Sequence, residues 1–389
     1  MTCTAKYIFS EDLLHYHFHK DHPFNQKRVL LTTELLQYAG LLNDSDIVPP
    51  RKATDEEIKL FHDHAYVEAV KRASKQSLPE QEAVEFGLGT EDTPIFPDMH
   101  HASAFLVGGT LTAVDEVLSG RAMHASNLGG GLHHGFKRKA SGFCIYNDGA
   151  IAIRYIREKY NLRVLYVDTD AHHGDGVQWA FYDDPNVCTF SIHETGRYLF
   201  PGTGNVNERG IKKGHGYSFN LPIDAFTEDE SFLHVFTTAL KEIAAFFKPD
   251  IIVSQNGADA HCYDPLSHLC CTMTIYETIP QLAHQLAHQY CNGKWIALGG
   301  GGYDMWRVAP RAWAQVWNVM HLGLPASGPL PEEWISKWRE KSPVALPTYW
   351  EDDPSIVPSI PRKEEISEKN DISLRQLLKY TTLNTPADK

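Results

Sequence analysis

Val164-Leu165-Tyr166-Val167-Asp168-Thr169-Asp170-Ala171-His172-His173-Gly174-Asp175-Gly176 is the stretch on which the fold turns. Its first half is a continuous apolar run that ends in acid. A strand buried on both faces reads this way, because helices cover both sides of a parallel sheet. Its second half alternates Asp168, Asp170 and His172, which in extended geometry project to one side. Two carboxylates and an imidazole converging at a strand end form a divalent-metal site with mixed oxygen and nitrogen donors, suited to zinc, iron or manganese. The competing reading is an acidic turn that caps the next helix. Like-charged carboxylates crowded at a buried strand end, however, are costly unless something compensates them.

Similar apolar runs recur at 122–128, 187–192, Ile251–Gln255 and Trp295–Leu298, each followed by Gly, Asp or His. The run at 122–128 fits least well, since it holds His124, Ser126 and Asn127. Helical patterns lie between them. Thr54-Asp55-Glu56-Glu57 has capping-box spacing, and Thr227-Glu228-Asp229-Glu230 repeats it before an amphipathic run that stops at Lys248-Pro249. Alternating strands and helices predict an α/β fold with a mostly parallel sheet, helices on both faces and ligands beyond the carboxyl ends of the strands. Beyond Met320 the texture changes to nine prolines, from Pro325 to Pro386, interleaved with Trp334, Trp338 and Trp350. The expectation is one main domain over 1–320 and an extension over 321–389 that packs on it, with a short helix near 373–380.

The chain has 389 residues, 49 acidic and 36 Lys+Arg side chains, and a formal net charge of −13. An acidic surface argues against nucleic-acid binding, which needs cations to displace counterions, and suits a cationic substrate. No signal-peptide pattern opens the sequence and no run is long and apolar enough to span a bilayer, so no membrane partner is expected. The seven cysteines form no CxxC pair, which argues against a disulfide framework and points to a reducing cytoplasm. The 21 histidines invite a metal hypothesis that has to be argued position by position.

Three further clusters follow apolar runs. Gly129-Gly130-Gly131-Leu132-His133-His134-Gly135 offers close backbone approach and two imidazoles, which are ligands, acid–base groups or a solvated loop. Gln255-Asn256-Gly257-Ala258-Asp259 offers another carboxylate, which is a ligand or a turn residue. Leu298-Gly299-Gly300-Gly301-Gly302-Tyr303 is no phosphate loop, because it lacks the following Lys-Ser/Thr, but it leaves Tyr303 free to enter a pocket. Ala140-Ser141-Gly142-Phe143-Cys144-Ile145-Tyr146-Asn147-Asp148 is either core or a pocket wall. There is no G-x-S-x-G nucleophile elbow.

Jointly, GGGLHHG, ASGFCIYND, YVDTDAHHGDGV, FPGTG at 200–204, NGAD and LGGGGY resemble the metal-dependent histone deacetylase family, and within it the bacterial acetoin utilization proteins. The motifs keep the family's order over about 5–320. The resemblance implies an arginase/deacetylase fold with an open, mostly parallel sheet of about eight strands. It implies Asp170, His172 and Asp259 as ligands of zinc or Fe(II). His133 and His134 are implied as general base and acid, Asp168 and Asp175 as their carboxylate partners, and Tyr303 as the oxyanion donor. His134 with Asp175 is the main proton shuttle in this reading. Gly142, Phe143, Phe200 and Leu266 would line a lysine tunnel and Asp92 would bind substrate backbone at its rim. Arg28 and Cys144 would lie at an acetate exit channel. Potassium would bind at Asp168, Asp170, His172 and Ser191, and again at Phe181, Val187 and Tyr217. Leu132 and Leu199 depart from many relatives at positions that bear on substrate choice.

The implied reaction hydrolyses N-acetyl-lysine in an acetylated protein, such as an acetyl-CoA synthetase, to lysine and acetate. Rival readings are an acetylpolyamine amidohydrolase, an arginase-like ureohydrolase and an inactive acetyl-lysine binder. Tyr303 and the single-metal ligand set argue against a ureohydrolase, and the complete catalytic set argues against an inactive module. Oligomeric state is not legible in the chain.

Overall fold

A computed structural model describes residues 4–383, so Cys3 and Pro386 lie outside the described residues. Eight strands form one sheet: β1 (Ala5–Ile8), β2 (Ile47–Val48), β3 (His124–Asn127), β4 (Val164–Asp168), β5 (Val187–Glu194), β6 (Ser218–Ile223), β7 (Ile251–Gln255) and β8 (Trp295–Leu298). Their order is β2-β1-β3-β8-β7-β4-β5-β6, and every pairing is parallel.

The helices are α1 (Lys27–Tyr38), α2 (Asp55–Ile58), α3 (His64–Ser74), α4 (Glu80–Glu85), α5 (Met99–Leu118) and α6 (Asp148–Tyr160). They continue with α7 (Asp175–Ala180), α8 (Asp229–Phe247), α9 (Met273–Tyr290), α10 (Ala309–Leu322), α11 (Glu332–Arg339) and α12 (Lys363–Leu383). No helix among the described residues is long and apolar enough to cross a membrane.

The apolar strands serve two cores at once. Leu165 and Val167 of β4 join one hydrophobic cluster, while Val164 and Tyr166 join the other. Trp295 and Ala297 of β8 alternate in the same way with Ile296 and Leu298. This period-two division between two apolar faces is what makes central parallel strands continuous apolar runs.

Sequence reasoning missed β1, β2 and β6. β1 and β2 are short, and β6 carries Asn220 and Pro222, which an edge strand tolerates because one side has no ladder to complete. The strand expected at 122–128 contracts to 124–127, and that expected at 187–192 extends to Glu194. Of the polar residues of β3, Asn127 is accommodated by α5. Asn127 Nδ2 donates to Leu106 O (3.1 Å) and Thr110 Oγ1 (2.8 Å), and Thr110 donates to Asp148 (2.6 Å).

The Thr54/Glu57 capping box forms at α2. At α8 the cap is instead Glu228, whose carboxylate accepts from Glu230 N (3.0 Å) and Ser231 N (3.3 Å), because Thr227 Oγ1 is committed to Asp224 O (2.6 Å). The C-terminal helix is longer than expected, 21 residues in place of a short one.

The proline-rich segment is anchored by polar contacts as well as by buried tryptophans. Trp334 Nε1 donates to Leu31 O (3.1 Å), and Asn370 Nδ2 donates to Thr227 Oγ1 and Ser231 Oγ (2.9 Å each). Asp352 accepts from Arg311 (2.7 Å) and His261 (2.8 Å), closing the segment over α10.

Candidate active site

The four site loops leave β3, β4, β7 and β8 in chain order, but those strands stand side by side in the sheet as β3-β8-β7-β4. The loops therefore meet above four adjacent carboxyl ends. β3 leads into 129–135, which delivers His133 and His134, and β4 ends at Asp168 and leads to Asp170, His172 and Asp175. β7 leads to Asp259 and β8 to Tyr303.

His133 Nδ1 donates to Asp168 Oδ2 (2.8 Å) and His134 Nδ1 donates to Asp175 Oδ1 (2.7 Å). Each carboxylate fixes its ring's tautomer and leaves Nε2 facing inward. The two Nε2 atoms lie 3.0 Å apart. Burial pushes His133 down, but the charges of Asp168 and Asp170 outweigh it and hold it up at about 9. Burial and the charge of His133 lower His134 to about 4, against the pull of Asp175. The pair thus carries one positive charge at neutral pH, on His133, while His134 stays neutral with its Nδ1–H on Asp175.

Beside this pair, ligand atoms of Asp170, His172 and Asp259 all lie within 4.8 Å of one another. His172 Nδ1 donates to Asp259 Oδ2 (2.9 Å) and Asp170 Oδ1 (3.1 Å). Burial would lower His172, yet its hydrogen bonds to Asp170 and Asp259 raise it well above the usual imidazole range. Burial and the neighbouring Asp170 raise Asp259 to about 6. Two buried carboxylates hold a proton on one imidazole at the position where a divalent cation would offset the same charge. The donor set fits zinc or Fe(II). Gly301 permits this crowding, since a Cβ there would stand 2.1 Å from Asp259 Oδ2.

Tyr303 is half-buried over His172, with ring centroids 6.4 Å apart, and burial keeps its phenol protonated and able to donate. The rings of Phe143 and Tyr303 lie 5.7 Å apart and those of Phe200 and His134 5.0 Å apart, so each phenylalanine stands beside a side chain of the site. Gly142 completes the wall: a Cβ would stand 2.5 Å from His134 Cδ2 and 2.9 Å from Phe200 Cε1. Leu266 is half-buried, and its N–H shares the Asp264 carboxylate with the N–H of Tyr303. Asp92 is exposed on a loop whose backbone abuts His22, and the His22 ring is 4.7 Å from that of Phe143.

Arg28 is buried, donates from Nη1 to Gly302 O (3.0 Å), and stacks over Phe24 (4.4 Å) and Trp313 (4.8 Å). Cys144 is buried with its thiol pushed well up by desolvation, which makes it a wall and not a nucleophile. Ser191 sits below the β4 loop, where its hydroxyl meets His193 Nδ1 (2.8 Å). Phe181, Val187 and Tyr217 cluster at the opposite end of β5. There the carbonyls of Phe181 and Tyr217 each accept one backbone N–H, leaving a second lone pair.

Sequence reasoning missed the supports. Asp148 accepts from Gly131 N, Leu132 N (2.8 Å) and Thr110, and so holds the loop that carries the His pair. Gln255 Nε2 donates to Asp170 Oδ2 (2.7 Å) and Asn147 Nδ2 donates to His133 O (3.0 Å). Asp264 anchors Tyr303 through its backbone (2.7 Å). The available signal was a polar residue at a buried element end: Gln255 closes β7 and Asp148 opens α6.

An open parallel sheet with carboxylate-oriented imidazoles above its carboxyl ends is the arginase/deacetylase fold. The chain belongs to the histone deacetylase family, whose histone deacetylase domain matches residues 22–320. It is 62% identical to the acetoin utilization protein AcuC of Bacillus subtilis over 364 residues, 94% of each chain. An HDAC homolog from Aquifex aeolicus superposes with a TM-score of 0.82 at 29% identity, covering 94% of this chain and 99% of that one. An HDAC homolog complexed with SAHA gives 0.84 at 29% identity, covering 95% and 100%.

Proposed function

We propose that this protein is a zinc-dependent lysine deacetylase that hydrolyses N-acetyl-lysine in an acetylated protein to lysine and acetate. The observation that carries this reading is the convergence of the His133/His134 pair, the Asp170–His172–Asp259 donor set and Tyr303, with Phe143 and Phe200 beside them. Zinc, or Fe(II) in its place, would be held by Asp170, His172 and Asp259, and when bound it acidifies water and polarises the substrate carbonyl.

The remaining work falls to the chain's own side chains. Phe143, Phe200 and Gly142 hold the four-carbon lysine stem and exclude water from it. Asp92 and Leu266 meet the substrate at the rim. His134, neutral and oriented by Asp175, takes the proton as water attacks the carbonyl carbon. Tyr303 donates a hydrogen bond to the oxygen that gains negative charge. As the C–N bond breaks, the His133/His134 pair returns a proton to the leaving amine. Acetate departs past Cys144 toward Arg28, whose buried charge favours an anion. Potassium would be held at Asp168, Asp170, His172 and Ser191, and at Phe181, Val187 and Tyr217, where carbonyls such as those of Phe181 and Tyr217 keep a lone pair to offer a monovalent cation.

Likeness to acetoin utilization proteins supports an acetylated metabolic enzyme as substrate, an acetyl-CoA synthetase being the partner proposed, in the reducing cytoplasm. The test is one metal-reconstituted preparation assayed on acetyl-lysine peptides and on acetylpolyamines. Peptide turnover that SAHA inhibits is expected. Faster turnover of acetylspermidine would overturn the protein-substrate reading, and activity on neither would overturn deacetylation.

A further inference from the structure

We propose that His124, His284 and His288 form a second zinc site, at the amino-terminal edge of the sheet, separate from the catalytic centre. His124 opens β3, and His284 and His288 lie four residues apart on α9, so the helix presents both rings to one side. The ring centroids are 4.9 Å (His124–His284), 5.2 Å (His124–His288) and 4.5 Å (His284–His288) apart. One nitrogen from each ring falls within 4.8 Å of the others, and the Nε2 atoms of His284 and His288 are 3.1 Å apart. Zn–N bonds of about 2.0–2.1 Å in a tetrahedron require nitrogens about 3.3–3.4 Å apart, so small side-chain rotations suffice.

The independent sign of a missing ligand is His124. It is fully buried, and neither Nδ1 nor Nε2 has a hydrogen-bond partner among the described residues. The backbones of Met123 and Gly293 lie near the ring without reaching hydrogen-bond geometry. Buried polar groups are almost always satisfied, because an orphan keeps the full cost of its lost hydration. For a ring with no hydrogen-bond partner that faces two further imidazoles, a cation supplies the partner of the one nitrogen that carries a lone pair.

Three imidazoles without a carboxylate among the donors select a borderline metal such as zinc over magnesium or calcium. His288 is exposed, so water reaches the fourth position. Bound there, the cation ties the last turns of α9 to the first residue of β3, which pairs with Trp295 of β8. The three residues from His124 to Asn127 span about 10 Å, and the catalytic loop begins only beyond them. Occupancy therefore braces the sheet without touching substrate.

Metal-stripped full-length protein titrated with Zn2+ against a chromophoric chelator tests this. Wild type should bind two equivalents, Asp259→Asn one, and the His284→Gln/His288→Gln double variant one, with its peptide deacetylation unchanged. The single exposed change His288→Gln should weaken the second equivalent by about tenfold or more. The rise in Tm that accompanies the second equivalent should vanish in the double variant. A second equivalent that survives in the double variant, or a wild type that binds only the equivalent removed by Asp259→Asn, overturns the proposal. If wild type takes up two equivalents in this pattern yet deacetylates no peptide, the proposed function falls and the second site stands.

Discussion

The two ends of the sheet both gather histidines, and they treat them in opposite ways. At the carboxyl end, His133, His134 and His172 each donate to a buried aspartate. At the amino end, His124 has no hydrogen-bond partner among the described residues for either nitrogen and looks onto two more imidazoles. A carboxylate fixes which nitrogen carries a proton and how firmly, which is what proton transfer at a defined atom requires. A trio of imidazoles supplies lone pairs that can hold a cation. The same side chain serves chemistry in one place and attachment in the other because of what stands behind it.

Substitutions sharpen that contrast, and on turnover they fall in a clear order. Asp259→Asn removes a charge from the donor set, and deacetylation should drop to background with loss of one bound zinc, measured by metal analysis and peptide assay. Tyr303→Phe should leave metal content intact and reduce kcat by about 10²–10³, since it deletes one oxyanion donor. Unchanged peptide turnover in that variant would break the assigned mechanism. Asp148→Asn places an amide among the N–H groups of the 129–135 loop. It should lower activity by about 10–100-fold, in the range seen when groups supporting a site are removed, with circular dichroism unchanged.

Asp352 tests whether a His–Asp pair alone makes a site. It binds His261 and Arg311 and none of the metal donors, and those partners hold its carboxyl well below the usual range despite burial. A depressed carboxylate stabilises the folded state fully above its unfolded pKa of about 3.9, and loses that contribution as pH falls through the folded value. Asp352→Asn should cost about 3–5 kcal/mol, because it leaves Arg311 buried with no ion-pair partner, and should flatten the acid limb of the stability profile. Its kcat at 25 °C should stay near wild type, read by denaturant unfolding beside the peptide assay. His288→Gln should change turnover least of all.

Much of the site was legible before folding was considered. The strand Val164–Asp168 declared itself because both its faces are apolar, and Asp168, Asp170 and His172 followed from its end. β3 read least well as a strand, because it carries buried polar residues, with Asn127 set against α5 and His124 against α9. The supports Asp148, Gln255 and Asp264 were hidden for a related reason: each satisfies backbone or side-chain groups far away in sequence, and spacing carries no trace of such a contact.

The sequence by itself determined the chemistry available: apolar runs that must be buried on both faces, each ending in glycines and acid or imidazole. Periodicity is a local property, and residues a few positions apart report it directly. Only the tertiary structure decided which loops meet. Chain order runs β3, β4, β7, β8, whereas sheet order runs β3-β8-β7-β4. That rearrangement sets Tyr303 beside His172 and draws Asp259 to Asp170, and it places His124 against α9 at the other end. Strand order is chosen by the global burial of both cores, a sum over the whole chain that no short stretch records.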